Sequence, residues 1–129
     1  MLALIMALAV SASEVHVLSA DTVFANGRAY RLYRIDAPQS APRAECALES
    51  ERAAALATFV NQVISSAHSV EVEPGFDPRG HKSWPNDRYG VRLARISVDG
   101  RDLGDLVVAR GYAFRWDNHN RRNWCLPQP

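Results

Sequence analysis

The stretch EVHVLSADTVFANGRAYRLYRIDAP, residues 14–38, decides the fold class. Val15 and Val17 alternate with polar residues, as in a half-buried strand. Asn26-Gly27 is a strong hairpin signal, because both residue types tolerate the positive φ angles of a tight type I′ turn. Tyr30, Leu32 and Ile35 follow in a third extended run. The stretch therefore reads as strands separated by turns.

Working outward, Pro38 to Arg43 is a loop containing Pro42. From about Ala44 to Ala67 the pattern becomes helical, with Leu48, Leu56, Phe59, Val60, Val63 and Ile64 on one apolar face. Glu49, Glu51 and Arg52 suit the exposed N-terminal part of that helix. Val70 to Glu73 alternates as a short strand, and Pro74 to Asn86 is a loop rich in Pro, Gly and charge. Val91 to Val98 is a strand turned at Asp99-Gly100, and Leu103 to Arg110 a short helix closed by Gly111. This order predicts an α+β protein: a five-stranded OB-fold β-barrel, a long helix after the third strand and a short C-terminal helix. Such barrels often bind oligonucleotides, but fold alone does not settle function.

With 129 residues, 47% of them hydrophobic and 22% charged, the chain has material for one domain with one core. It is too apolar for a disordered tail. A net charge of +1 argues against a bulk polycation that coats nucleic acid. Of the 15 basic residues only Lys82 is a lysine. Arginine suits bidentate phosphate contacts, although a GC-rich gene produces the same bias.

Residues 2–10, LALIMALAV, precede the small residues Ser11, Ala12 and Ser13. The run is too short to span a bilayer and matches the apolar and cleavage regions of a secretory signal. Residues 1–13 are thus expected to be a truncated signal segment, ahead of a single domain at 14–129. No Lys or Arg precedes Arg28, so an ordinary buried N-terminal segment is the alternative. Cys46 and Cys125 fit no paired metal-ligand spacing. In an exported chain they read as one disulfide, worth roughly 4–5 kcal/mol in the chain-entropy model. In a cytosolic chain they read as two buried thiols. The signal-like start favours the disulfide and a periplasmic or secreted location.

Asp21 begins the second strand and Asp36 ends the third. If those strands are neighbours, two carboxylates meet at one end of the barrel, the oxygen-rich setting that Ca²⁺ prefers. Arg31, near Asp36, would then stand ready to stabilise charge on a phosphoryl group. Taken singly, each is more readily read as a turn-forming Asp or a surface Arg. His81 and His119 are lone loop histidines without a paired spacing. Trp84, Trp116 and Trp124, interleaved with Arg79, Arg88, Arg115, Arg121 and Arg122, either stack bases and hold phosphates or cap the tail hydrophobically.

In order and spacing, ADTV, YRLYRIDAPQ, a helix, VEVE and DRYGVRLARISVDGRDLGDLVVARGYA resemble the staphylococcal-nuclease-like, or thermonuclease, family. The likeness runs from about Val15 to Ala113, and the tail NRRNWC with Cys46 in RAEC is similar to exported proteobacterial members. The resemblance implies an OB barrel with a Ca²⁺ site that hydrolyses DNA and RNA. It implies that Asp21, Asp36 and the Ala37 carbonyl bind the metal, that Arg31 is catalytic, and that Tyr89 lines a nucleotide pocket.

Three departures stand against full activity. The family's DGDT reads Ser19-Ala20-Asp21-Thr22, which removes an outer carboxylate. The glutamate after DAP is Gln39, which can hydrogen-bond water but cannot take its proton. The arginine after DRYG is Val91, and Arg92 replaces it only if a bulge re-aims the side chain. Glu45, Glu49 or Glu51 could swing toward the metal, or form an acidic first helical turn facing water. The expectation is a weak Ca²⁺-assisted nuclease, monomeric and off the membrane in its mature form, acting on single-stranded or denatured nucleic acid. The alternative is a non-catalytic nucleic-acid- or protein-binding module on the same fold.

Overall fold

Backbone chirality at two Xaa-Gly pairs shapes the sheet of this protein, whose computed structural model describes residues 7–75, 86, 90–116 and 121–127. Tyr89, His81, Trp84 and His119 lie outside the described residues. The chain opens with β1 (Leu8–Val10), a 3₁₀ turn at Ala12–Glu14 and β2 (His16–Ser19). Next come β3 (Thr22–Ala25), β4 (Arg28–Leu32) and the two-residue β5 (Ile35–Asp36). The long helix α1 is Ala47–Ser65, followed by β6 (Val70–Pro74) and β7 (Arg92–Val98). The chain then forms β8 (Arg101–Asp102), α2 (Leu103–Ala109) and β9 (Phe114–Arg115).

Asn26 and Gly27 have φ values of 52° and 75°, and Asp99 and Gly100 have 50° and 79°. These paired positive values are those of type I′ turns, whose twist matches that of the strands they join. The turns connect β3 to β4 and β7 to β8. The main sheet runs β1-β6-β7-β4-β3-β2 with β8 added on β7, and it is mixed because β4 and β7 are parallel. The result is an α+β protein: a curled sheet forming a half-barrel, with two helices.

The five strands read from sequence correspond to β2, β3, β4, β6 and β7. The third run does not reach Ile35 unbroken, however. Arg34 has φ 53°, a left-handed conformation that costs a non-glycine residue energy, and it turns the chain out of the sheet. The chain resumes as β5, which pairs with β9 in a separate ribbon. That break places Asp36 in the β5–β9 ribbon, where Asp36 and the Ala37 carbonyl accept hydrogen bonds from the C-terminal segment.

Alternation along β7 buries Ala94, Ile96 and Val98. They meet Val23, Tyr30 and Leu32 of the neighbouring strands and the helix residues Leu56, Val60, Ile64, Leu103 and Val107 in one core. On α1 the buried stripe is Glu49, Ala53, Leu56, Val60 and Ile64, the spacing of one helical face. Glu49 is thus not on the exposed part of the helix, where its charge alone would put it. Phe59 of α1 stacks on Tyr112 at 4.8 Å, joining the two helices. At the other edge Val10 is buried opposite Val70, so residues of the signal-like run form an outer strand. Among the described residues no helix is long and apolar enough to cross a membrane.

Candidate functional site

Asp21 sits in the turn between β2 and β3, and its carbonyl accepts the Leu32 N–H at 2.9 Å, tying that turn to the end of β4. Arg31 is paired across the sheet with Thr22, beside Asp21. Its Nε donates to Asp21 Oδ2 at 2.9 Å, while Thr22 Oγ1 donates to Oδ1 at 3.2 Å. Asp21 is buried, and Arg31 keeps 20% of its side chain exposed. Two of the residues picked out in the sequence therefore meet, as an ion pair.

Arg92 does not join them on that face. The register runs Tyr30↔Arg92, Arg31↔Leu93, Leu32↔Ala94 without a bulge, so Arg92 shares the face of Tyr30 and not that of Arg31. A Cβ built on Gly75 would stand 3.4 Å from Arg92 Nη2, which puts the guanidinium at the end of β6.

Asp36 and Ala37 are hydrogen-bonded to the C-terminal segment 121–127, and Gln39 to Glu49, which shares Arg121 with them. The Arg122 backbone N–H donates to Asp36 Oδ2 at 2.8 Å, and the Trp124 indole Nε1–H donates to Oδ1 at 3.1 Å. Arg121 Nε lies 3.9 Å from Oδ1. Arg121 Nη2 donates to the Ala37 carbonyl and to Glu49 Oε2, both at 3.1 Å. Asp36 and Trp124 are 5% and 4% exposed, so these bonds are shielded from water.

Glu49 binds the other side of the same arginine. Its Oε2 accepts the Gln39 N–H at 2.8 Å and its Oε1 accepts the Glu45 N–H at 2.9 Å. Burial by itself raises the carboxyl pKa. The two backbone N–H groups and the Arg121 guanidinium outweigh it and hold Glu49 below its ordinary 4.5. Glu49 thus fixes the loop carrying Gln39.

The segment is also anchored covalently and at its end. Cys46, the residue that caps α1, is bonded to Cys125, as the even pair anticipates. Arg52, one and a half turns further along α1, donates to the carbonyls of Trp124, Leu126 and Pro127 at 2.7, 2.6 and 2.7 Å. Trp124 leans on Phe114 of β9 with ring centroids 5.5 Å apart, and the Arg122 guanidinium covers the same Phe114 ring.

These contacts test whether a calcium ion fits the ligands that the resemblance assigns. Ca²⁺ takes 6–8 oxygens at short range. Here both Asp36 oxygens and the Ala37 carbonyl face N–H donors, and the Asp21 carboxylate faces a guanidinium. In this arrangement the residues do not fit the ion. A second cluster, Glu45, Glu49 and Cys125, brings its atoms within 4.8 Å of one another, but its sulfur is in the disulfide and Glu49 is already bonded.

A cavity of about 380 Å³ lies elsewhere, lined by Leu32, Arg34, Arg95, Ile96, Arg115 and Trp116 among others. Two of its three arginines face a carboxylate and the third a carbonyl. Arg95 Nε stands 3.3 Å from Asp102, Arg115 pairs with Asp105, and Arg34 donates to the Trp116 carbonyl.

Comparison with known proteins names no relative: no protein-family model matches the chain, and no curated protein matches it. What the sequence reading missed is the role of Glu49, Arg52, Arg121 and Arg122. The one signal that pointed there was the Cys46–Cys125 pair, which brings the tail to within ten residues of Asp36 along the chain.

Proposed function

We propose that this domain is a thermonuclease-like, OB-type module that binds single-stranded nucleic acid through arginines and does not hydrolyse it while the C-terminal segment is closed. One observation carries the reading: the tail's N–H donors occupy the Asp36 carboxylate and the Ala37 carbonyl. The sequence departures point the same way, since Gln39 cannot act as a base and Val91 removes a guanidinium. Arg31 and Arg122, both reaching solvent, are the groups that meet phosphate. Export to an oxidising compartment, action as a monomer and a nucleotide contact from Tyr89 belong to the same proposal.

A weak Ca²⁺-assisted phosphodiesterase is the competing reading, favoured by the Arg31–Asp21 pair. A labelled single-stranded oligonucleotide separates them, followed by fluorescence anisotropy and on a denaturing gel, with Ca²⁺ or EDTA. The module binds equally in both and leaves the strand intact. Binding weakens with rising salt, by a slope of about −0.7 per phosphate contact. Arg31→Ala and Arg122→Ala each loosen it severalfold. Calcium-dependent cleavage that disappears in Arg31→Ala and Asp36→Ala would establish the nuclease instead. No binding under any of these conditions would defeat both.

A further inference from the structure

The tail does more than cover the site, because of what it places there. Arg121 brings a guanidinium to the Ala37 carbonyl and within 3.9 Å of Asp36, so the chain supplies its own cation at the acceptors that a metal ion would use. The Trp124 indole and the Arg122 amide each donate to one of the two Asp36 oxygens. All three donors lie within four residues of Cys125. Trp124 is buried, but it packs on Phe114 and lies outside the main hydrophobic cluster that joins the sheet to both helices.

We propose that residues 121–127 form a redox-released strap: with the Cys46–Cys125 disulfide closed they hold Asp36 and the Ala37 carbonyl, and a dithiol reductant frees both acceptors. The inference rests on the reading above that these acceptors are the cation-facing end of a thermonuclease-like site. In the chemical step, one thiolate of the reductant attacks a cystine sulfur and expels the other cysteine as a thiolate, which takes up a proton. The second thiol of the reductant then closes its own disulfide and releases the remaining cysteine. Two electrons and two protons pass from reductant to protein.

Without the cross-link, the strap is held by non-covalent contacts alone: the buried and part-buried bonds of Trp124, Arg122 and Arg121 to Asp36, Ala37 and Glu49, and the bonds of Arg52 to strap carbonyls. Of the three carbonyls that Arg52 reaches, those of Leu126 and Pro127 are exposed, where solvent competes for the bond, and that of Trp124 is part-buried. The buried Trp124–Asp36 bond then opens far more often. Amide exchange at Arg122, whose N–H is bonded to Asp36, reports the opening directly.

The test compares the oxidised full-length chain, the same chain treated with a dithiol, and Cys46→Ser with Cys125→Ser. Hydrogen exchange at the Arg122 amide is read first, and Ca²⁺ alone is titrated by calorimetry second. Reduction and the double variant should accelerate exchange at Arg122 at least tenfold, while amides of β6 and β7 keep their protection. Arg121→Gln in the oxidised chain, which leaves the disulfide intact, should also accelerate it. If Arg122 exchanges at the same rate in all forms, the strap proposal is overturned. If the amide opens and Ca²⁺ binds only then, with binding lost in Asp36→Asn, strap and cation-facing reading stand together. If it opens and Ca²⁺ still does not bind, the strap stands and the cation-facing reading falls.

Discussion

Glu49 was placed on solvent by its charge and its position in the first turn of a helix. It is instead 2% exposed and accepts three N–H donors. A glutamate reads as surface because a lone buried carboxylate is costly, and local sequence does not reveal that a guanidinium 72 residues away completes it. Replacing Glu49 by Gln leaves one oxygen where two serve, so either the Gln39 or the Glu45 N–H loses its acceptor, and Arg121 loses the nearer of its two counter-charges. Urea unfolding at neutral pH should show a loss of about 2–4 kcal/mol, the range for breaking a buried charged hydrogen-bond pair. The sign with pH follows from the lowered pKa. Glu49 contributes stability that is present above its ordinary 4.5 and lost as pH falls through its depressed folded value. The difference between the parent chain and Glu49→Gln should therefore shrink on acidification below pH 4.5, and a difference constant with pH would show that the charge is not what matters. Trp124→Phe, which keeps the ring on Phe114 but deletes the donor to Asp36, should cost about 1–3 kcal/mol in the same measurement.

At the scale of elements, the turns and the helices were legible. Asn26-Gly27 and Asp99-Gly100 adopt the turns their side chains favour, and Gly111, at φ 77°, follows α2 as a C-terminal glycine does. Alternation identified β7 because its inner face packs on one core. The break at Arg34 was not legible, since arginine carries no preference for a positive φ, and the ribbon of β5 with β9 depends on partners 78 and 80 residues on. The N-terminal strand is the element whose two readings now make different predictions. Leu8–Val10 covers the outer edge of β6 and buries Val10, yet the signal reading removes it. A chain beginning at Glu14 should keep its fold, with the β6 edge open and about 1.5–3 kcal/mol lost with Val10 burial. It should also self-associate more readily through that edge, a property checked by light scattering beside thermal unfolding. If the shortened chain is as stable and as monomeric as the long one, β1 is dispensable, as a cleaved segment must be. If it precipitates or unfolds, residues 8–10 belong to the working fold.

Over the whole molecule, 15 basic and 14 acidic residues nearly cancel, and among the described residues several are paired locally: Arg31 with Asp21, Arg121 with Asp36 and Glu49, Arg95 with Asp102, Arg115 with Asp105. Composition shows the total and conceals these pairs, and it conceals that Asp36 answers to residues 86 and 88 positions later. The disulfide is the one long-range tie that counting residues could reveal, and it spans 79 residues. Its contribution and the core's can be separated because they involve different residues. The core joins β-strands and both helices without Cys46, Cys125 or Trp124. A closed loop of this length restricts the unfolded chain by roughly 4–5 kcal/mol. A domain with the usual stability of about 5–15 kcal/mol can lose that much and remain folded. Cys46→Ser with Cys125→Ser should therefore keep the circular dichroism of the parent chain in buffer. Its urea midpoint should fall by an amount equivalent to about 3–5 kcal/mol, with unchanged cooperativity in the remaining core. Loss of secondary structure in buffer would instead mean that the strap is part of the folding unit. Its release could not then serve as a switch, because the site would disappear along with the tail that covers it.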